Sequence, residues 1–374
     1  MTAPDLEVPA PRTDDPAAWA DGLWAAVSAG DEAAAGAVAF DALGAGVAPE
    51  AVLLDVIAPV QARVGAEWAA NRLTVAQEHT ATAINDRVVT ALVAHPAVRG
   101  SVPRTPRGRV TVSCVDGEWH AFPARLLAQV LVLRGWQVDY LGSQVPTPLL
   151  ISELHRTAPD ALALSASLAP RLPAAHTTIT AAQAAGVPVL AGGAAFGQDG
   201  RYARLLGADA WARSARGAAE RLARGLASPV PEHQPIDDLP HLADQEYTLL
   251  SRSAPRLVGA VVSGLLKEVP AVRAYTEAQL QHTAEDIAHV VDFLAAGLYT
   301  DDPDLFCGFL SWTAGVLGSR AVPASSMLPA LEILRHELRD LPRSVTLLDH
   351  GRTAVAALLP PTVHVPNQHH GNPA

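Results

Sequence analysis

Glu118-Trp119-His120 is the stretch whose residue types and spacing most directly suggest chemistry. An imidazole can bind a metal through one ring nitrogen. A carboxylate two residues earlier accepts the proton on the other nitrogen, which fixes the tautomer and raises the ring's basicity. Two further groups keep it company, Ser165-Ala166-Ser167-Leu168 and Gly192-Gly193. All three follow runs that read as strands, so they stand at one edge of a sheet, where open α/β sheets bind ligands. Adjacent glycines leave room for a large ligand against the backbone. Taken singly, the glycines could be a tight turn and the serines helix caps.

The positioning elements can be read around these groups. Val110–Val115, Gln137–Leu141, Ala161–Ser165, Pro188–Ala191 and Ala208–Trp211 read as strands separated by helical patterns. Strands alternating with helices imply a parallel sheet, and five of them suit the flavodoxin-like, Rossmann-like order 2-1-3-4-5 over residues 108–227. Residues 17–96 read as a four-helix cap, with apolar residues at helical spacing through Trp19, Leu23 and Val27 and again from Val52 to Val64. Thr74 and Gln77 form a capping box, so one helix ends near Asn71 and another starts near Val75. Val98–Arg107, with Pro103 and Pro106, reads as a linker.

Residues 228–242 are a second Pro-rich linker, and 243–342 return to a helical pattern, giving an α, α/β, α order overall. The clearest helix there runs from Thr276 to Tyr299. Asp301-Asp302-Pro303 breaks it, and further helices follow through Leu305–Trp312 and Met327–Leu338. Residues 1–16 read as a disordered lead and 343–374 as a tail.

Two other clusters carry polar chemistry. Trp68 is followed ten and eleven residues later by Glu78 and His79, near facing helix ends. On spacing alone this trio reads as a core tryptophan beside two solvated residues. On the helix Thr276–Tyr299, His282, Asp286 and His289 share one face. They form either a solvated stripe or a site for pyrrole N–H groups and propionates, with Arg320 or Arg335 pairing the propionates and Trp312 and Phe309 giving ring contacts.

Composition narrows the function. The formal charge of −11 disfavours binding DNA through the bulk surface. Nothing ahead of the cap reads as a helix-turn-helix. No run of eighteen apolar residues predicts a membrane span. Two distant cysteines, Cys114 and Cys307, suit a reducing cytoplasm. Neither a P-loop nor a catalytic triad is evident, so a non-catalytic protein is expected.

The pattern of Glu118, His120, Ser165, Ser167, Leu168, Gly192 and Gly193 resembles the cobalamin-binding domain of methionine synthase and its relatives. The resemblance implies that His120 is the lower axial cobalt ligand. Glu118 is then its partner, and the displaced benzimidazole tail lies in a slot lined by the serines and glycines. Glu118 stands where those proteins have aspartate, and Pro123 where they have glycine. The Trp68/Glu78/His79 spacing resembles the light-sensing adenosylcobalamin photoreceptors called CarH, which implies that these three side chains contact the adenosyl group. Those repressors carry a histidine directly after the tryptophan, where this chain has Ala69, so a bis-histidine photoproduct at that position is not expected. The order of cap, cobalamin domain and helical domain resembles the photocobilins, which implies a globin-like third domain binding biliverdin at His282, Asp286, His289, Trp312 and Arg320. Cys307 lies in an apolar run, so non-covalent binding is expected. The resulting expectation is a cytoplasmic light sensor holding adenosylcobalamin (cobalt) and biliverdin. It forms a homo-oligomer, a dimer, and signals to a downstream protein without touching nucleic acid or membrane. A corrinoid carrier subunit of a methyltransferase system is the alternative, and a haem-binding sensor using His289 is a third reading.

Overall fold

The computed structural model describes residues 15–229 and 239–359. Most of the expected lead, most of the second linker and the segment with His369 and His370 lie outside the described residues. The chain divides into two compact units. One runs to Tyr247 and takes in Tyr299–Asp301, and the other comprises Thr248–Leu298 and the chain from Asp302 onward.

The first unit opens with α1 (Pro16–Ser28) and α2 (Glu32–Gly44). Asp15 and Asp31 cap them, each carboxylate accepting a first-turn backbone N–H at 3.0 and 2.9 Å. A continuous helical run follows as α3 (Pro49–Ala51), a π turn (Val52–Ile57) and α4 (Ala58–Ala69). Pro59 has no N–H to donate four residues back, and the wide turn falls just before it. Then comes α5 (Val75–Ala94), started by the expected capping box between Thr74 and Gln77. Leu23, Val27, Leu53, Ile57, Ile84 and Leu92 fill the bundle. The expected linker instead begins with a short helix, α6 (Pro96–Ser101), because Val98 is drawn into the core at 2% exposure.

The sheet is β1 (Arg109–Cys114), β2 (Gln137–Gly142), β3 (Ala161–Ser165), β4 (Val189–Gly192) and β5 (Ala210–Ala212), in the order β2-β1-β3-β4-β5. All pairs are parallel. Between and after the strands run α7 (Ala121–Leu133), α8 (Thr147–Thr157), α9 (Leu172–Ala184), α10 (Arg201–Leu205) and α11 (Ala215–Ala223). Register pairs Cys114 with Ser165 and Ser165 with Gly192, so the ends of the three central strands are level. The bundle and one side of the sheet share a single apolar core. Ion pairs reinforce this seat: Arg134 to Glu50 at 2.8 Å, Arg216 to Asp55 at 2.6 Å and Arg125 to Asp86 at 2.6 Å.

The second unit is helical: α12 (Glu246–Glu268), α13 (Glu277–Thr300), α14 (Pro303–Ser319), α15 (Leu328–Glu337) and α16 (Pro342–Ala357). The last of these corrects the expected tail from residue 343. Pro342 does not stop the chain but occupies the first helical turn, where its missing N–H costs nothing. Leu347, Leu348 and Val355 then bury one face. Gly351 admits α14 closely, since a Cβ there would lie 2.6 Å from Leu310 Cδ1. Among the described residues no helix is long and apolar enough to cross a membrane.

Candidate functional site

Glu118 sits in the loop between β1 and α7 and is wholly buried, yet its carboxylate is saturated. Oε1 meets His120 Nδ1 at 2.6 Å and accepts the His120 backbone N–H at 3.0 Å. Oε2 accepts the N–H groups of Ser167 and Leu168 at 2.7 and 3.1 Å. Burial pushes the carboxyl's pKa up. The His120 ring and the backbone donors more than reverse this and hold it at about 2. The hydrogen bond from Glu118 in turn raises the pKa of His120, partly offset by burial.

An ionised Glu118 accepts the Nδ1 proton and leaves Nε2 as a lone-pair donor. That ring is not buried away, its side chain being 53% exposed. A fixed tautomer, a free nitrogen and an accessible face fit an axial ligand to a cobalt corrinoid. Among the described residues no group of three or more His, Cys, Asp or Glu side chains gathers as a metal site. Trp119, 67% exposed, stands beside it at the sheet edge. Cys114, one strand end away, is buried and its thiol is pushed up to about 12 by desolvation, then by the charge of Glu118, so it stays inert.

Ser165 closes β3, and the Ser167 and Leu168 amides are already committed to Glu118. The glycines answer to the chain itself. Gly193 has φ +101°, and a Cβ there would lie 2.2 Å from the Ala166 carbonyl oxygen. A Cβ on Gly192 would lie 3.3 Å from the Ala212 carbonyl oxygen. Close approach of the Ala166 backbone thus requires glycine at 193, and the end of β5 lies tight against Gly192.

The cap places Trp68 in the last turn of α4, half-buried, with Glu78 and His79 in the first turns of α5. Glu78 Oε2 meets His79 Nδ1 at 2.6 Å. A polar chain fixes Glu78 from behind. Asn85 Nδ2 donates to Gln61 Oε1 at 2.8 Å, Gln61 Nε2 to Thr82 Oγ1 at 2.8 Å, and Thr82 Oγ1 to Glu78 Oε1 at 2.9 Å. Every donor in this chain points toward Glu78, which fixes the position of its carboxylate. The negative charge of Glu78 contributes to raising the pKa of His120. Gln61, Thr82 and Asn85 were missed in the sequence, although Glu78, Thr82 and Asn85 at i, i+4 and i+7 share one helix face.

In the second unit, His282, Asp286 and His289 lie exposed along α13. Although its surface is exposed, partial desolvation of its carboxyl by the surrounding protein raises the pKa of Asp286, against the pull of His289, His282 and Arg320. The structure thus brings Asp286, His289 and Arg320 into electrostatic reach. His282 turns instead to Glu285 at 3.2 Å. Arg335 pairs with Asp349 at 2.7 Å. Phe293 stacks on Phe309 with centroids 3.8 Å apart, and Trp312, 52% exposed, lies 6.4 Å from Phe309. Cys307 is half-buried with its thiol pKa raised by burial, which makes it a poor nucleophile.

Comparison with known proteins bears on the first unit. Residues 108–223 and residues 19–93 each match a family model described as a B12 binding domain. The chain is 31% identical over 183 residues to the HTH-type transcriptional repressor CarH of Myxococcus xanthus, covering 47% of this chain and 58% of that protein. The chain thus spans a little over half the length of this curated relative. Among solved structures, the monomethylamine corrinoid protein of Methanosarcina barkeri is similar at 18% identity and a TM-score of 0.49, covering 56% of this chain and 99% of that one. A cobalamin-binding protein from Desulfitobacterium hafniense DCB-2 is similar at 21% identity and a TM-score of 0.32, covering 56% of this chain and 98% of that one. The two family matches span the cap and the sheet domain, and the first unit is a cobalamin-binding module.

Proposed function

We propose that this chain is a light-responsive receptor that binds adenosylcobalamin between the cap trio and the β1–α7 loop and has no catalytic activity of its own. The observation that supports the reading is the Glu118–His120 pair, a buried and fully hydrogen-bonded carboxylate that fixes the ring while leaving it accessible. The bound cofactor would supply a light-labile cobalt–carbon bond. His120 Nε2 would hold the cobalt, with Glu118 fixing the ring's tautomer. Trp68, Glu78 and His79 would hold the adenosyl group, with Gln61 and Thr82 keeping Glu78 in place. A change in those contacts would change the free energy with which the cap docks. Output is a change of oligomeric state, a dimer being the expected form, or of a partner's activity.

The second unit carries the further reading of a globin-like domain for biliverdin. Asp286 and His289 suit pyrrole N–H groups, Arg320 a propionate, and Trp312 with Phe309 the ring edges. Asp286 and His289 both lie exposed on α13, where a ligand could reach them.

The test is an absorption spectrum of the protein reconstituted in the dark with adenosylcobalamin and biliverdin, repeated after green light. The reading expects a cobalamin spectrum that changes with light and a protein-shifted red band. A photostable, protein-bound cobalamin without selectivity for the adenosyl form would support the methyltransferase carrier instead. An unshifted red band would remove biliverdin.

A further inference from the structure

Arg171 stands beside the β1–α7 loop, against Gly117. It ends the short turn Ala169–Arg171 that follows Ser165-Ala166-Ser167-Leu168, and it stands at the start of α9. Its guanidinium lies over Gly117, where an added Cβ would come within 3.0 Å of Nη1. Gly117 has φ +75°, so the loop is shaped for glycine on both counts. Arg171 also acts electrostatically on His120.

The Nε of Arg171 is buried and has no hydrogen-bond partner, and the side chain forms no ion pair with a described residue. Leaving one donor of a charged group buried and unpaired is costly, and Nε calls for a partner. Glu118 does not serve, because both its oxygens already hold other donors. The amino end of α9 adds partial positive charge at the same place. A half-buried guanidinium on the edge that carries Ser165 and Ser167 therefore asks for an anionic oxygen from the ligand.

We propose that Arg171 is a specificity-determining contact for the corrinoid's nucleotide tail, donating to its phosphodiester. That phosphodiester is the one formally anionic group of the tail, and arginine's planar fork matches phosphate oxygens. The inference rests on cobalamin binding in the His120 mode and adds a preference for complete corrinoids over truncated ones.

The test titrates the full chain, wild type, Arg171→Ala and Arg171→Lys, with aquacobalamin and with diaquacobinamide, which has the same ring without the nucleotide tail. Arg171→Ala should raise the Kd for aquacobalamin about tenfold or more and leave that for cobinamide nearly unchanged. Arg171→Lys should recover part of the loss. An unchanged Kd for aquacobalamin would overturn the proposal. So would an equal loss for both corrinoids, which would mean that Arg171 merely supports the loop at Gly117. Wild-type protein that binds neither corrinoid would bring down the cobalamin reading itself, an outcome separate from any effect of the variants.

Discussion

The two units hold their candidate ligand groups in opposite ways. In the first, the His120 ring is pinned by a buried carboxylate that three backbone N–H groups hold in turn. In the second, His282, Asp286 and His289 stand along an exposed helix face, and only His282 has a side-chain partner. A metal ligand needs its orientation set before the metal arrives, and hydrogen bonds behind it do that. A linear tetrapyrrole contacted by several weak groups needs less of this. The contrast makes the first site a preset socket and the second a surface that a ligand, on the proposed reading, would have to organise.

Substitutions can break this comparison. The largest effect is expected from His120→Ala, which should weaken cobalamin binding by about 100-fold or leave a water-ligated spectrum. Titration followed by absorbance reads both, and an unchanged spectrum would end the axial assignment. Glu118→Gln should come next, at roughly tenfold or more, because the amide no longer holds the Nδ1 proton as firmly. Thr82→Val cuts the chain behind Glu78. It should cost about 1 kcal/mol of stability in a denaturant titration and reduce the preference for adenosyl- over methylcobalamin a few-fold. Equal preference before and after would show that Glu78 does not read the adenosyl group. In the second unit, His289→Ala should shift or abolish a bilin band, while His282→Ala should change it least.

Acid titration sharpens the same contrast. Glu118 is held at about 2 in the fold, below the ordinary 4.5. Its contribution is present above the unfolded value and is lost as pH falls from there toward about 2. Asp286 has a raised pKa, so the folded state binds its proton first and the contribution runs the other way, easing as pH falls. Glu118→Gln should therefore flatten the acid limb of the stability curve, and Asp286→Asn should steepen it slightly. Melting temperatures across the acid range would show the two signs, and matching signs would contradict the assigned environments.

Much of this was legible in the chain. The five strands, their order and the capping box at Thr74 could be read because period, turn chemistry and topology rules agree there. Glu118 and His120 were legible because two residues of spacing suffice for their bond. The reason for Gly193 was not, since it lies in the Ala166 carbonyl oxygen, which only the turn geometry brings near. Helix α16 was hidden by Pro342, a residue that can end one helix or begin another. Gln61 escaped because its partners Thr82 and Asn85 belong to a different helix.

The central claim is that His120, and not the corrinoid's own benzimidazole, supplies the lower cobalt ligand. It is tested most directly by electron paramagnetic resonance of the bound cobalt(II) corrinoid, with protein whose histidines carry nitrogen-15. The account predicts that the triplet splitting of the cobalt lines by an axial nitrogen-14 becomes a doublet on labelling. Triplets that persist in the labelled protein would show the benzimidazole still in place and would contradict it.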